Sequence, residues 1–250
     1  PRLDGVIGAA AGMRAAVVQA LHPAEHRRAF GAALVDQPPM RTVLADLALE
    51  SEAATALRPR LAGAVARSVR GDGSESAFRR LGVAVGKFWV TKRQPAHAAE
   101  ALECLGGNGY VEESGMPRLF RDSPLNSIWE GSGNVAALDV LRAMGRSPES
   151  VEAFFAELGA AAGVDDHYDA AVKRLEQSLG DQEEVQYRAR SVVELMALTL
   201  QASLLLRYAP TPVAEAFTAS RLGGEWGHVF GTLPRGTDTG LILDRARPRS

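Results

Sequence analysis

The segment SIWEGSG, residues 127–133, places one acid, Glu130, between an aromatic residue and two glycines. A carboxylate can act as a general base where water is excluded, because desolvation raises its pKa toward a useful value. Trp129 could supply that exclusion, and the glycines would let a flat ligand approach the backbone closely. Glu130 could instead be a turn acid before a helix, where Ser132 is a good N-cap and the helix dipole favours negative charge. Position alone leaves both interpretations open.

Two other segments have the composition of phosphate contacts. GGNGY at 106–110 follows a helical pattern and lacks dinucleotide-fingerprint spacing. It is therefore either a helix cap with a turn or a glycine-rich backbone surface for a phosphate. HRRAFG at 26–31 places Arg27 and Arg28 beside an aromatic residue and a turn glycine. These arginines either reach a phosphate or form a solvated charge pair at a helix end.

Metal and disulfide chemistry find little support in the sequence. The five histidines show no HExxH or Cys/His ligand spacing, so we expect no metal. Cys104 is the single cysteine and excludes an internal disulfide, which fits a reducing compartment. We therefore expect a cytoplasmic protein.

Helices must position these segments, because apolar residues recur mainly at helical spacing. Helices are predicted at 3–22, from the prolines at 38–39 to about 68, from about 74 to 105, and at 133–144. Pro23 is expected to end the first helix, and Ser74 or Ser76 to cap the third. Pro95 is expected to bend the third helix or to mark a boundary. The long connection at 106–133 is predicted to be mostly loop, and such loops are often functional.

The second part of the chain is also predicted to be helical. GRSPES at 145–150 is expected to be a linker, and helical patterns follow it near 150–161, 166–179, 182–208 and 212–221. The apolar run at 195–206 is too short to span a bilayer and is predicted to be a buried helix. The sequence shows no strand series, so we predict an all-α protein of two packed bundles.

Composition fits a folded protein with a substantial core. The chain has 250 residues, 46% of them apolar and 23% charged, with a net charge of −2. This balance gives no general attraction to nucleic acid or to an anionic membrane. The chain begins without Met and without a signal-peptide pattern, so we expect it to be the later part of a longer protein.

Four segments in order resemble the acyl-CoA dehydrogenase family. They are RRAFG at 27–31, ALECLGGNGY at 101–110, RLFRDSPLNSIWEGSGN at 118–134 and VAALDVLRAM at 135–144. The resemblance implies that residues 1–145 form the C-terminal helical, FAD-contacting bundle of that fold. NSIWEGSGN and the residues after 145 resemble a subgroup, the AidB-like alkylation-response flavoproteins, in which 146–250 would be an additional helical domain.

The resemblance implies a flavin-dependent oxidation of an acyl-CoA thioester. In the family a glutamate takes the α-proton while hydride passes from the β-carbon to FAD. Glu130 stands where that base stands, with Trp129 in place of the usual tyrosine next to the flavin. Ser132 and Asn134 fall at positions that contact FAD, and Arg2 falls at a position near the acyl-CoA.

Further FAD contacts follow from the same resemblance. Arg27 and Phe30 would contact the FAD of a partner subunit, with Gln37 nearby, so a homodimer or homotetramer is expected. Gly106 and Gly107 would lie along the FAD pyrophosphate. Glu103 stands where the family often has a glutamine that contacts FAD.

DNA is the alternative partner, because the AidB-like subgroup is associated with DNA binding. Residues 145–250 contain 11 Arg and Lys against 15 Asp and Glu, a net of −4, whereas a phosphate-binding domain should be basic or have a basic face. RARPR at 245–249 is a small cationic tail or a disordered terminus. Other arginines could cluster on one surface: Arg188, Arg190, Arg207, Arg221 and Arg235.

Overall fold

A computed structural model describes residues 1–181 and 183–248. This part of the chain contains eleven α-helices and one two-stranded hairpin. The helices are α1 (Arg2–His26), α2 (Pro38–Val69), α3 (Gly73–Glu103), α4 (Gly107–Tyr110), α5 (Met116–Asp122), α6 (Gly133–Arg146), α7 (Pro148–Gly159), α8 (Asp166–Gly180), α9 (Ala189–Tyr208), α10 (Thr211–Phe217) and α11 (Thr239–Ala246). The strands are β1 (Arg28–Ala29) and β2 (Ala32–Ala33). The predicted all-α class is confirmed.

Three long helices, α1, α2 and α3, pack against one another at the centre of the molecule. The apolar face of α1 is built mostly from small residues at helical spacing, which lets its neighbours approach closely. At Gly12 the approach is so close that a built Cβ would lie 2.3 Å from the Gln94 Nε2 atom of α3. The core at the centre of the molecule is rich in alanine and leucine, and α3 contacts both α1 and α2 there.

Helix ends differ from several sequence predictions. Pro23 does not end α1, because proline removes only one backbone donor and the Arg27 N–H still donates to the Pro23 carbonyl at 2.8 Å. Asp72, not Ser74 or Ser76, caps α3 and accepts from the Glu75 N–H at 3.1 Å. The connection 106–133 is not mostly loop, since α4, α5 and 3₁₀ turns occupy much of it.

Helices of the second part pack directly on the first. α7 lies on α3, α9 on α2 and α3, and α11 on α2. The linker predicted at 145–150 is reduced to Ser147, which separates α6 from α7. A helix predicted from residue 182 begins instead at Ala189, and Gln182 lies outside the described residues. The division of the chain after residue 145 stays a prediction.

α9 contains the most apolar run and has the length and composition to cross a membrane. In its most apolar 18-residue window, however, 72% of the residues are buried against the rest of the protein. The run at 195–206 is therefore a buried helix, as the sequence predicted.

A buried ion cluster fastens the glycine-rich segment after α10 to α2. The guanidinium of Arg221 is fully buried and donates to Asp46 and to Glu50, the latter at 3.1 Å. The Gly231 N–H donates to the other Asp46 oxygen at 2.8 Å, and Arg93 of α3 reaches Glu50 at 3.3 Å. Because each buried charge has an opposite partner, removing one partner would leave the others uncompensated.

Replacing Arg221 with alanine should therefore lower the free energy of unfolding by about 3 kcal/mol. Denaturant unfolding followed by circular dichroism measures this loss. Arg235→Ala is the matched control, since Arg235 is an exposed arginine of the same segment and should change stability by less than about 0.5 kcal/mol. Equal effects of the two changes would show that the cluster does not stabilise the fold.

The same region should make stability depend on pH in two separate windows. Burial lowers the pKa of His97 to about 4, whereas the unfolded chain protonates near 6.5. Burial alone would raise the pKa of Glu50, but Arg93 and Arg221 lower it from 4.5 to about 2. Stability should fall by up to about 3 kcal/mol as pH drops from about 6.5 to 4 through His97. Below about 4.5 it should fall further through Glu50.

Thermal unfolding of a His97→Gln variant between pH 4 and 7 separates these windows. The variant should lose the dependence above about pH 4.5 and keep the dependence below it. An unchanged slope above pH 4.5 would contradict the assignment to His97.

Candidate active site

Glu130 lies on an exposed and strained loop. Its backbone is left-handed at φ 56°, and Gly131 follows at φ 106°. A non-glycine residue in this conformation costs free energy and persists only where the surroundings enforce it. The Glu130 side chain is exposed and Trp129 is 51% exposed. The water exclusion expected from Trp129 is therefore not supplied by the described residues alone.

Two cations hold the backbone of this loop. Lys87 of α3 donates through Nζ to the Gly131 carbonyl, and Arg2 of α1 donates through Nε to the Glu130 carbonyl at 3.3 Å. Both carbonyls belong to the left-handed turn. Helices α1 and α3 thus fix the residue that the sequence singles out as a base.

Asp139 of α6 orients Arg2 from the other side. Its carboxylate accepts from Arg2 Nη1 at 2.5 Å and from both terminal nitrogens of Arg80 at 3.2 Å. Although partial burial would raise the pKa of Asp139, the hydrogen bonds from Arg80 and Arg2 hold it below its usual value. Asp139 therefore remains a carboxylate at neutral pH and keeps the arginine in place.

α3 presents three polar side chains to this loop and to the helix after it, spaced seven residues apart. Arg80 binds Asp139, Lys87 binds the Gly131 carbonyl, and Gln94 accepts from the Asn126 side chain at 2.9 Å. Residues at this spacing lie close to one face of a helix. We call Arg80, Lys87 and Gln94 the α3 polar stripe.

Ser132 and Asn134 begin α6. Ser132 occupies the N-cap position, as predicted, but its hydroxyl makes no capping bond and is exposed. The Asn134 side-chain oxygen accepts from Arg190 Nη1 at 2.9 Å, so the second part of the chain reaches this loop. Arg190 thus contacts a residue for which the sequence predicts a flavin contact.

The hairpin after α1 carries the second group of candidate residues. Phe30 and Gly31 form its two-residue turn at φ 52° and 85°, which is typical of a type I′ hairpin. The Phe30 ring is 95% exposed. Gln37 donates to the Ala29 carbonyl at 3.0 Å and braces the turn. The left-handed backbone of Phe30 costs free energy, and its exposed ring makes little packing contact within the described residues.

GGNGY lies beside this hairpin. A Cβ built on Gly106, at φ 62°, would lie 3.6 Å from Arg27 Nη1, and Gly107 faces open space. Gly109 is required by packing, because a Cβ there would lie 2.1 Å from the Leu102 carbonyl oxygen. Arg27 and the open Gly106–Gly107 backbone together provide a cation and room for an anionic group.

The structure places the predicted site residues in two groups. Arg2, Trp129, Glu130, Ser132 and Asn134 belong to the loop or contact it, whereas Arg27, Phe30, Gln37, Gly106 and Gly107 lie around the hairpin. Glu103 is the last residue of α3, and its side chain is exposed. Its carbonyl accepts from the Gly106 N–H at 2.8 Å. The role of each residue stays a prediction.

A groove of about 560 Å³ opens beside Glu130. Its apolar walls include Leu3, Val65 and Val83, and Arg2 lies at its polar side with Glu130. Asp4, Arg79 and Arg80 also line the groove, so it combines apolar walls with charged side chains next to Glu130.

Sequence reasoning missed Lys87, Arg80 and Asp139. Their partners are 44, 59 and 137 residues away, so no local pattern pairs them. One signal was present, since Lys87 is the lone charge in the apolar stretch GVAVGKFWV at 82–90. A charge in such a stretch is unusual in a buried helix and marks a position to inspect.

Comparison with known proteins identifies the fold and assigns residues 2–145 to a family. The family model for the acyl-CoA dehydrogenase C-terminal domain matches residues 2–145. The chain is 40% identical over 216 residues to the acyl-CoA dehydrogenase homologue AidB of Escherichia coli (strain K12). That match covers 86% of this chain and 39% of AidB, so the chain spans about two fifths of this relative.

Solved structures share the fold. ACDH-11 of Caenorhabditis elegans, in complex with C11-CoA, superposes with a TM-score of 0.81 at 23% identity, over 98% of this chain and 45% of that one. An acyl-CoA dehydrogenase from Bacillus anthracis, complexed with FAD, gives a TM-score of 0.62 at 18% identity, over 98% of this chain and 46% of that one.

Changing Phe30 to asparagine should relieve the turn strain and raise the free energy of unfolding by about 1 kcal/mol. Asparagine tolerates the left-handed conformation, and the exposed ring contributes no packing within the chain. Chemical denaturation measures the gain, with the exposed and extended Val111→Asn as the control. A clear loss of stability at Phe30 alone would show that its ring stabilises the chain itself.

Proposed function

The chain belongs to the acyl-CoA dehydrogenase family, and on that premise we propose that it forms part of a flavin-dependent enzyme that oxidises an acyl-CoA thioester between its α- and β-carbons. The observation that carries this proposal is the placement of Glu130. It stands on a loop held by α1 and α3, at the edge of an apolar groove.

Glu130 would take the proton from the α-carbon. Such a proton is weakly acidic, so the carboxylate must be aimed and shielded from water. The loop anchors supply the aim through the backbone. Shielding would come from the bound thioester, the flavin and the remaining part of the protein, because Glu130 is exposed in this chain.

FAD fits the residues around the hairpin and the loop. Arg27 beside the open Gly106–Gly107 backbone would hold the pyrophosphate, and the exposed ring of Phe30 would cover a flat group. Ser132 has a free hydroxyl at the start of α6, where anions are favoured. When bound, FAD supplies the acceptor for the hydride that leaves the β-carbon.

A homodimer or homotetramer would complete the site. The Phe30 turn projects from the chain, which suits contact with the FAD of a partner subunit. Gln37 would support this contact by bracing the turn. A cytoplasmic location also remains part of the proposal.

DNA binding, the alternative function, has less support. Arg221 is buried with acids, and Arg207 pairs with Glu157 at 2.7 Å. Residues 245–248 are described, and there Arg245 and Arg247 pair with acids at 2.5 Å. Arg249 lies outside the described residues. The arginines expected to make a basic surface are thus largely neutralised, and steep salt dependence would be the sign of phosphate contacts.

Glu130→Gln should leave flavin binding unchanged and slow substrate oxidation by roughly 10²–10⁴-fold, because the amide cannot accept the α-proton. Anaerobic stopped-flow reduction of the FAD-loaded protein by an acyl-CoA measures the rate. Glu113→Gln, an exposed acid of the same connection, is the matched control and should react at the wild-type rate. A Glu130→Gln rate within threefold of wild type would mean that another group is the base.

A further inference from the structure

Lys87 is a buried cation beside the Glu130 loop, and the proposed chemistry does not use it. Only 1% of its surface is exposed, and its Nζ donates to the Gly131 carbonyl. No salt bridge to Lys87 is found among the described residues, and the carboxylate that acts on its charge is that of Glu130. Its stem passes Gly5 of α1, where a built Cβ would lie 3.9 Å from the Lys87 Cγ atom.

A buried ammonium that forms no salt bridge is expected to contribute little to the free energy of unfolding. Removing the charge from water is costly, and one carbonyl returns only part of that cost. Consistently, burial and the nearby Arg2 lower the pKa of Lys87, while Glu130 opposes them. An apolar side chain of similar length would fill the same space more favourably. The effect of Lys87 is therefore to be sought in the conformation of the loop whose Gly131 carbonyl it binds.

The hydrogen-bond acceptor identifies that benefit. Gly131 directly follows Glu130, and both residues have left-handed backbones. Arg2 holds the carbonyl of Glu130, so successive carbonyls are bound from two different helices. We infer that Lys87 is a positioning residue: by binding the Gly131 carbonyl it keeps the Glu130 loop in its strained conformation and aims the carboxylate into the groove.

The position of Lys87 on α3 suits this role. It is the middle residue of the α3 polar stripe, on a helix packed against α1 and α2. Gln94, one stripe position further along α3, holds Asn126 before the turn, and Arg80 holds Asp139 after it. The ends of the segment are thus fixed independently, and Lys87 binds the backbone at its centre.

Hydrogen exchange tests the inference without turnover. In Lys87→Met the amides of Ile128 and Trp129, which donate to the Leu125 carbonyl, should exchange at least tenfold faster. The helices should exchange as before, and the thermal midpoint should stay equal or rise. Lys92→Met is the matched control, since Lys92 is an exposed lysine of the same helix that approaches Gly133. It should alter the loop less than twofold.

Three outcomes would overturn the inference. They are loop exchange within twofold of wild type, equal acceleration in the loop and the helices, and failure of Lys87→Met to fold. Lys87→Gln provides a second variant, because its amide keeps an N–H donor on an uncharged side chain that is one bond shorter. It should restore loop exchange to within threefold of wild type, and a loop as mobile as in Lys87→Met would also contradict the inference.

The link to catalysis rests on the proposed function and needs its own readout. In the FAD-loaded protein Lys87→Met should lower kcat at least tenfold and leave KM for the acyl-CoA within twofold, with Lys87→Gln recovering most of the loss. If the wild type does not oxidise acyl-CoA, the proposed function fails while hydrogen exchange still decides the loop. If kcat is unchanged although the loop is mobile, the positioning role is wrong.

Discussion

The contact between α3 and the Glu130 loop is the constraint on which the site depends. The α3 polar stripe provides a bond to α6, a bond to the centre of the turn and a bond to the chain before it. α1 and α2 pack on α3 and limit its movement. The Glu130–Gly131 turn is thereby held in its strained conformation by α3, which the packing of α1 and α2 keeps in place.

Solvent exposure of aromatic side chains is a second feature of the candidate site. Phe30 and Trp129 place large aromatic rings in solvent beside the two groups of candidate residues. The groove beside Glu130 is likewise open on one side. Under the proposed function these surfaces would be covered by the cofactor and the substrate. The contact of Arg190 with Asn134 adds that residues beyond the family match already take part in the loop.

Sequence periodicity was sufficient for the long helices but not for α4, α5 and α11, and motif order was sufficient for the family. Glu130 and the N-cap position of Ser132 followed from local residue types. Lys87 and Asp139 did not, because their partners are distant in sequence and helical spacing gives no pairing. The strained Phe30 turn was hidden for a related reason, since phenylalanine rarely adopts positive φ and no propensity predicts it there.

The visible absorbance spectrum of the purified protein during anaerobic titration with an acyl-CoA tests the proposed flavin chemistry. We expect the bands of bound oxidised flavin before titration, because under the proposed function Arg27, Phe30 and the Gly106–Gly107 backbone would hold FAD. These bands should bleach as substrate is added, with one enoyl-CoA formed for each flavin reduced. A protein that takes up FAD but keeps its oxidised spectrum with every acyl-CoA would contradict the proposed function.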